Sequence, residues 1–183
     1  MVSIEMVGKE VMETLKKIAD TQIAELTGEI LRADRVFVAG AGRSGMMARC
    51  FVMRLMHLGL KAYMVGEVVT PAFASGDLLL ITSGSGSTGS LVQMAKKARK
   101  IGGRIALVTV YPDSEIGQMA DTTVQIDAPT KKINEDRKNR PLQPMGNLFE
   151  QCLLICLDYV GMCLMEKLGM EEEEMFSRHA NLE

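Results

Sequence analysis

The sequence predicts an α/β fold, a three-layer αβα sandwich built on a doubly wound, five-stranded parallel sheet. Short apolar runs rich in β-forming residues alternate along the chain with longer segments of helical periodicity. Such alternation produces a parallel sheet with helices on both faces. At 183 residues, 47% of them hydrophobic, the chain has the size of a single domain spanning 1–183. The predicted strands are 36–39, 61–65, 77–82, 104–110 and 122–126.

Helical patterns flank these strands. Apolar residues recur at three-and-four spacing through the N-terminal segment 3–32, which predicts one or two amphipathic helices packed outside the sheet or on a partner. The Gly102-Gly103 pair predicts the end of the helix that follows the third strand. Residues 146–168 form the most hydrophobic predicted helix, and an acidic run then opens a short solvated tail, 171–183.

A long loop is predicted between the last strand and the hydrophobic helix. Residues 128–145 contain Pro129, Pro141, Pro144 and a run of mixed charge, with no periodicity. Loops of this length in a compact domain are usually functional or mobile. Whether this loop closes over a substrate stays open from the sequence.

Charge and hydropathy exclude several classes of function. The formal net charge is -2, and the basic residues are not gathered into the stripe that binds phosphate backbones, so we expect no nucleic-acid partner. The N-terminal segment contains acidic residues and lacks an apolar run followed by a small-residue cleavage site, so we do not expect it to be a signal peptide. The longest apolar stretch, 152–165, is interrupted by Asp158 and is shorter than the ~20 residues of a membrane-spanning helix. These features predict a cytoplasmic protein without a membrane segment.

The four cysteines all lie in apolar helical contexts. A metal site would need thiolates that converge with histidine or with a second cysteine pair, and the spacing offers neither. We expect buried thiols and no metal site. The cysteines are Cys50, Cys152, Cys156 and Cys163.

A glycine-rich turn follows the first predicted strand. Gly40, Gly42 and Gly45 satisfy the G-x-G-x-x-G pattern of dinucleotide-binding turns, and Glu67 lies where a ribose-binding acid would stand. Against a nicotinamide site, the chain has no room for a separate substrate domain. Arg43 and Ser44 also make the middle of the turn unusually polar, and they supply hydrogen-bond donors themselves.

A second polar loop joins the third strand to its helix. Its four hydroxyls and unhindered amides lie at a helix N-terminus, which favours an anion and suits one phosphate monoester. A plain flexible turn is the alternative, but two polar turns at the carboxyl ends of parallel strands favour a ligand site. The loop consists of Ser83, Gly84, Ser85, Gly86, Ser87 and Thr88.

These residues carry a resemblance to a known family. SGSGST after the third strand is similar to the phosphate loop of sugar isomerase (SIS) domains. VAGAGRSG, MRLMHLGLKAYMVGE, QPMGNLFEQ and the terminal HANLE narrow the match, since together they resemble the 6-phospho-3-hexuloisomerase family over nearly the whole chain.

The resemblance implies a reaction. It is the interconversion of D-arabino-3-hexulose 6-phosphate and D-fructose 6-phosphate through an enediol, in the ribulose monophosphate pathway of formaldehyde fixation and detoxification. The carbonyl moves from C3 to C2 without net redox change, so no cofactor is needed. The resemblance further implies a homotetramer and a functional link to hexulose-6-phosphate synthase.

Two residues are expected to move protons. Glu150, in the first turns of the hydrophobic helix, is the expected base, although a glutamate there is also a common partner of the helix dipole. His179 is the expected second proton carrier because imidazole titrates near neutral pH; the family's C-terminal segment is expected to cross to a neighbouring subunit, while a solvated tail is the alternative. Glu67 and His57 are secondary candidates, and a structural role for His57 at a helix C-terminus is equally open.

Other functions remain open at this point. The two loops would also serve a non-catalytic sugar-phosphate sensor, which has no use for Glu150 or His179. An NAD-dependent enzyme would use Gly40, Gly42 and Gly45. An aldose-ketose isomerase acting on another sugar phosphate is the nearest alternative in chemistry.

Overall fold

The computed structural model describes residues 2–128 and 141–182. Its centre is a sheet of five strands in the order β2-β1-β3-β4-β5, with every neighbouring pair parallel. Each predicted strand is confirmed within two residues at either end. The strands are β1 (Val36–Gly40), β2 (Ala62–Met64), β3 (Leu78–Thr82), β4 (Arg104–Thr109) and β5 (Thr122–Gln125).

Helices cover both faces of the sheet, as a doubly wound sheet requires. One buried cluster joins the sheet to α2, α3 and α5, and a second joins the opposite face to α4 and a 3-10 turn, Gly117–Met119. The three-layer αβα sandwich is therefore confirmed. The helices are α1 (Ile4–Leu15), α2 (Asp20–Arg32), α3 (Gly42–His57), α4 (Gly89–Ile101), α5 (Asn147–Leu168) and α6 (Glu172–Ser177).

The N-terminal segment forms two helices rather than one. Ser3 begins α1 by accepting a hydrogen bond from the Met6 amide, and α1 then packs on α5 outside the sheet layer. The second helix, α2, lies against β5 and α5. Gly102 ends α4 in the left-handed conformation, as the glycine pair predicted.

Helix α5 is the most apolar element and runs 22 residues. It is long and apolar enough, by length and composition, to cross a membrane, so the shorter apolar stretch counted from sequence understated it. Half of its most apolar 18-residue stretch is buried inside the fold, where the helix packs on α1, α2 and α3. This burial is the behaviour of a core helix.

The cysteines divide into two pairs. Cys152 and Cys156 are buried on α5 as expected, whereas Cys50 and Cys163 are half-buried. Burial raises the pKa of the Cys152 thiol to about 11 and that of Cys156 to about 12, so both stay protonated near neutral pH. Across residues 2–128 and 141–182, no cluster of three or more His, Cys, Asp or Glu side chains is placed to hold a metal ion.

Part of the predicted loop 128–145 lies outside the described residues, namely 129–140. The described remainder leads directly into α5. Its Leu142 amide donates to the Glu10 carboxylate on α1 at 2.6 Å, so α1 holds the entrance to the helix that carries Glu150.

The tail is more ordered than predicted. The acidic residues at its start are exposed, as expected, but three of them form the first turn of α6. Met175 packs against the core, and Arg178 donates to the His57 carbonyl at 3.2 Å. The tail therefore docks on the end of α3 in its own chain.

Candidate active site

The site lies at the carboxyl edge of the sheet. There β1 turns into α3 and β3 turns into α4, so the N-termini of two helices face the same edge. Ligands of open α/β sheets bind at this edge, where the strand order reverses. Strand β1 lies between β2 and β3 in the sheet, so the first and second polar turns are neighbours.

Close packing explains two glycines of the first turn. A Cβ on Gly40 would lie 2.8 Å from the Gly45 Cα, and a Cβ on Gly45 would lie 2.6 Å from the Gly40 oxygen. A side chain at Gly40 would also collide with the Thr82 hydroxyl, which donates to the Ser44 carbonyl at 3.2 Å. The turn is thus joined to the end of β3, and its glycine pattern has a reason that involves no dinucleotide.

The phosphate loop, residues 83–88, is shaped by its own hydrogen bonds. The buried Ser83 hydroxyl accepts from the Gly86 amide at 3.1 Å, and Gly86 has a left-handed φ of 60°. The Ser87 amide donates to the Ser85 hydroxyl at 3.3 Å. Ser83 and Gly86 therefore fold the loop, while Ser85 and Ser87 lie exposed on its outer side.

This loop has unused backbone amides, which suit an anion. Among the described residues, the amides of Gly84, Ser85 and Thr88 have no acceptor. Thr88 is the N-cap residue of α4, yet its side chain makes no capping bond. Orphan donors at a helix N-terminus favour negative charge, so the geometry fits the phosphate monoester expected from sequence.

Thr109, at the end of β4, supports the loop and was missed by the sequence analysis. Its fully buried hydroxyl donates to the Gly84 carbonyl at 3.2 Å and accepts from the Tyr111 amide at 3.2 Å. The Gly86 carbonyl is also held, by the Ile116 amide at 3.0 Å. Thr109 could have been predicted from the sequence, because it places a hydroxyl at the carboxyl end of a predicted strand.

Helix α5 brings a carboxylate to this loop. The ring of Phe149 packs against Gly84, where a Cβ would lie 3.3 Å from the ring. The next residue is Glu150, whose side chain is only 14% exposed. Its Oε2 lies 2.7 Å from Nη1 of Arg43, so α3, α5 and the phosphate loop meet at one place.

The Glu150 carboxylate is held without being fully hydrogen-bonded. Oε2 is inaccessible to solvent and has no hydrogen-bond partner among the described residues. Nη1 of Arg43 approaches it outside hydrogen-bonding angles and donates instead to Oδ1 of Asn147. The result is a carboxylate with a guanidinium beside it and one oxygen that accepts no hydrogen bond within the described residues.

Comparison with known proteins assigns the fold family. The model of the SIS domain matches residues 29–155, a span that contains both polar turns and Glu150. The chain belongs to the SIS-domain family. The 3-hexulose-6-phosphate isomerase of Bacillus subtilis is 46% identical over 166 residues, covering 91% of this chain and 89% of the relative. That of Mycobacterium gastri is 44% identical over 181 residues, covering 99% and 90%.

A solved structure agrees with these relatives. A Methanococcus jannaschii protein, for which a molecular function of 3-hexulose-6-phosphate isomerase has been inferred, superimposes with a TM-score of 0.85 at 36% identity. The match covers 98% of each chain. The resemblance predicted from the sequence motifs is therefore confirmed.

The two histidines of this SIS domain lie away from Glu150 within one subunit. The rings of His57 and His179 stack with centroids 5.5 Å apart at the C-terminal end of α3. Fourteen residues separate His57 from Arg43, which corresponds to about 21 Å along a helix. His179 can join Glu150 only across a subunit boundary, and His57 does not join it within the chain.

His57 has a structural environment. It is 4% exposed, and Nδ1 lies 3.3 Å from the Arg54 guanidinium. Burial lowers the pKa of His57, and the charges of Arg54 and His179 lower it further. The neutral imidazole is thus favoured, which suits packing under the tail.

Glu67 lies at the carboxyl end of β2 but is engaged elsewhere. Its carboxylate forms an ion pair with Arg49 on the outer side of α3, and both side chains are about half exposed. This pairing neutralises the charge that a sugar hydroxyl or a proton-transfer step would use. Glu67 stays secondary to Glu150.

Proposed function

We propose that this SIS-domain protein interconverts D-arabino-3-hexulose 6-phosphate and D-fructose 6-phosphate. The observation that carries the proposal is the position of Glu150, a nearly buried carboxylate beside Arg43 on the helical turn that packs against the phosphate loop. A plain phosphate-binding sensor has no need of this carboxylate. The similarity to two named 3-hexulose-6-phosphate isomerases supports the same reaction.

The phosphate monoester binds first in the proposal. The free amides of the loop, the Thr88 hydroxyl and the N-terminus of α4 hold it. This remote binding energy fixes the sugar so that its C2 and C3 lie beside Glu150. Ser85 and Ser87 contribute hydroxyls when they turn toward the ester.

Proton transfer then moves the carbonyl. Glu150 removes the C2 proton of the 3-hexulose, and the electron pair forms the C2–C3 double bond of the enediol while negative charge develops on O3. Arg43 stabilises that charge. The O2 proton passes to O3 through the second carrier, assigned to His179, and Glu150 returns its proton to C3. The product is fructose 6-phosphate, and the base is regenerated.

The role of His179 requires a homo-oligomer, and exposed apolar surface on α5 supports one. Ile155, Tyr159 and Met162 lie exposed on one side of α5 and line an open groove of about 380 Å³ against the α1–α2 connection. Such apolar surface is typical of subunit contacts. We propose a tetramer in which His179 completes a neighbour's site; a monomer by light scattering at micromolar concentration would remove this part of the proposal.

The wider setting follows from the same proposal. We place the protein in the cytoplasm, in the ribulose monophosphate pathway, linked to a hexulose-6-phosphate synthase that releases or fixes formaldehyde. In the assay, the purified chain and the synthase are supplied with fructose 6-phosphate and formaldehyde is measured. Release that depends on this chain is the expected result.

Thermal shift separates the rivals. A ligand that binds the native state raises the melting temperature. Fructose 6-phosphate is expected to raise it, and NADH is not. Stabilisation by fructose 6-phosphate without turnover would favour the sensor, and stabilisation by NADH alone would favour the dinucleotide site. Turnover of a pentose phosphate in preference would favour an aldose-ketose isomerase.

A further inference from the structure

The side-chain amide of Asn147 lies between the two charged groups of the site. Asn147 is the first residue of α5, three positions before Glu150. Its Oδ1 accepts the hydrogen bond of Arg43 Nη1. The same nitrogen lies 2.7 Å from Glu150 Oε2. One guanidinium nitrogen is therefore shared by an amide and a carboxylate.

The sharing is unequal. Nη1 donates with proper geometry to Asn147, whereas the buried Oε2 has no hydrogen-bond partner in the described part of the chain. Arg43 thus places its positive charge beside Glu150, while one Nη1 hydrogen is directed to the amide of Asn147 and neither Nη1 hydrogen is aligned with Oε2. A carboxylate that accepts a charge-assisted hydrogen bond is a weaker base at that oxygen.

We propose that Asn147 is a positioning residue for catalysis, which directs an Arg43 N–H away from Glu150 Oε2 and so keeps the carboxylate a stronger base toward the C2 proton. The amide suits this task because it accepts a hydrogen bond without adding a second negative charge. This inference rests on the proposed isomerase function, in which Glu150 is the base.

The consequence of removing the amide follows directly. In Asn147→Ala, the Arg43 guanidinium loses its acceptor. It either turns its N–H to Oε2, which occupies the lone pair, or moves toward solvent, which removes the charge; its side chain is already 48% exposed. Both outcomes slow the proton transfer. The phosphate loop is untouched in either case, so KM changes little.

A double-mutant cycle with Arg43 tests the inference, because residues that act through one another show non-additive effects. We expect Asn147→Ala to lower kcat about tenfold, part of the ~10²- to 10⁴-fold that acid-base catalysis contributes, with KM within about twofold. In an Arg43→Ala background, the same substitution is expected to lower kcat no further. Asn147→Asp keeps an acceptor oxygen for Arg43 but adds a second negative charge, so it is expected to recover only part of the loss.

The controls separate this inference from folding and from the proposed function. Gln118→Ala removes an exposed amide that donates to the Asp113 carbonyl, and it is expected to leave kcat unchanged. Melting temperatures of all variants are measured alongside. An equal loss of kcat from Asn147→Ala with and without Arg43, or no loss at all, would overturn the positioning role. A wild type that turns over no hexulose phosphate would instead overturn the proposed function.

Discussion

The first turn of α3 brings Arg43 against Glu150. Its last residue, His57, stacks on the ring of His179 from the tail. Both ends gather titratable side chains. The first end combines opposite charges next to a loop with unused amides. The second end combines two imidazoles with the guanidinium groups of Arg54 and Arg178.

On the proposed function, this difference explains why one end of α3 takes part in catalysis and the other does not. Titratable chemistry is present at both ends of one helix, but only the end at the carboxyl edge of the sheet offers an anion site beside it. The other end stabilises the docking of the tail. The following predictions test whether the two ends differ in this way.

Substitution of the base should have the largest effect. Glu150→Gln keeps the shape of the side chain but removes its ability to accept a proton, so kcat is expected to fall at least ~10²-fold. Stabilisation by fructose 6-phosphate in thermal shift should persist. Glu115→Gln is the control, because Glu115 is half-exposed and paired with Lys96 at 2.8 Å. Equal kcat in wild type and Glu150→Gln would contradict the assignment.

Subunit mixing tests whether the far end of α3 serves a neighbour. His179→Ala is expected to lower kcat at least about tenfold, which is less than the ~10²- to 10⁴-fold that a positioned acid-base group typically contributes. When this variant is co-expressed with Glu150→Gln, mixed oligomers carry some sites with both residues intact. Activity above that of either variant alone is the expected result. Its absence in verified mixed oligomers would confine His179 to holding the tail.

Thr109 should affect binding more than chemistry. Thr109→Val removes the hydroxyl that holds the Gly84 carbonyl, and KM is expected to rise about fivefold, equivalent to the ~1 kcal/mol of one hydrogen bond. The matched control is Thr27→Val, since Thr27 is equally buried and donates to the Ile23 carbonyl in α2. Similar KM values for both variants would remove Thr109 from loop support.

The pH dependence of stability should report on His57. Its pKa is lowered from 6.5 in the folded protein, first by burial and then by Arg54 and His179. The unfolded chain therefore binds the proton more readily, so this group stabilises the fold above about pH 6.5 and the contribution is lost as pH falls below that value.

Urea unfolding between pH 7.5 and pH 5 measures this effect. We expect the free energy of unfolding to fall less steeply in His57→Gln than in the wild type. His179→Gln, at an exposed position, should flatten the curve less. Identical slopes for wild type and His57→Gln would show that His57 titrates alike in both states.

Much of the fold, and the edge of the sheet that carries the candidate site, could be predicted from local sequence patterns. Strand positions follow from short apolar runs in the sequence. The rule that parallel strands place their carboxyl ends together then predicts that Gly40 and Ser83 lie at one edge of the sheet. The same rule, applied to Thr109 at the end of β4, would have added it to the site. Glu150 was found through its helix start and the resemblance of its surrounding motif.

Other features depend on contacts that sequence spacing does not encode. Arg43 and Glu150 are 107 positions apart (150 minus 43), and their pairing exists only because α3 and α5 pack side by side. The internal bond between Ser83 and Gly86 separates the buried residues that shape the loop from the residues whose side chains are exposed. The sequence analysis treated all six loop residues alike because side-chain direction follows from backbone conformation.

The ring of Phe149 against Gly84 has a consequence for substrate choice. An aromatic ring in van der Waals contact is incompressible at ordinary energies, so it works as a rigid spacer between the anion receptor and the carboxylate one residue further along α5. If the loop binds the phosphate ester and Glu150 is the base, this fixed distance sets the number of carbons between the ester and the ketone of the substrate. On the proposed function, we therefore expect chain length to matter more than the pattern of hydroxyl groups in the choice of substrate.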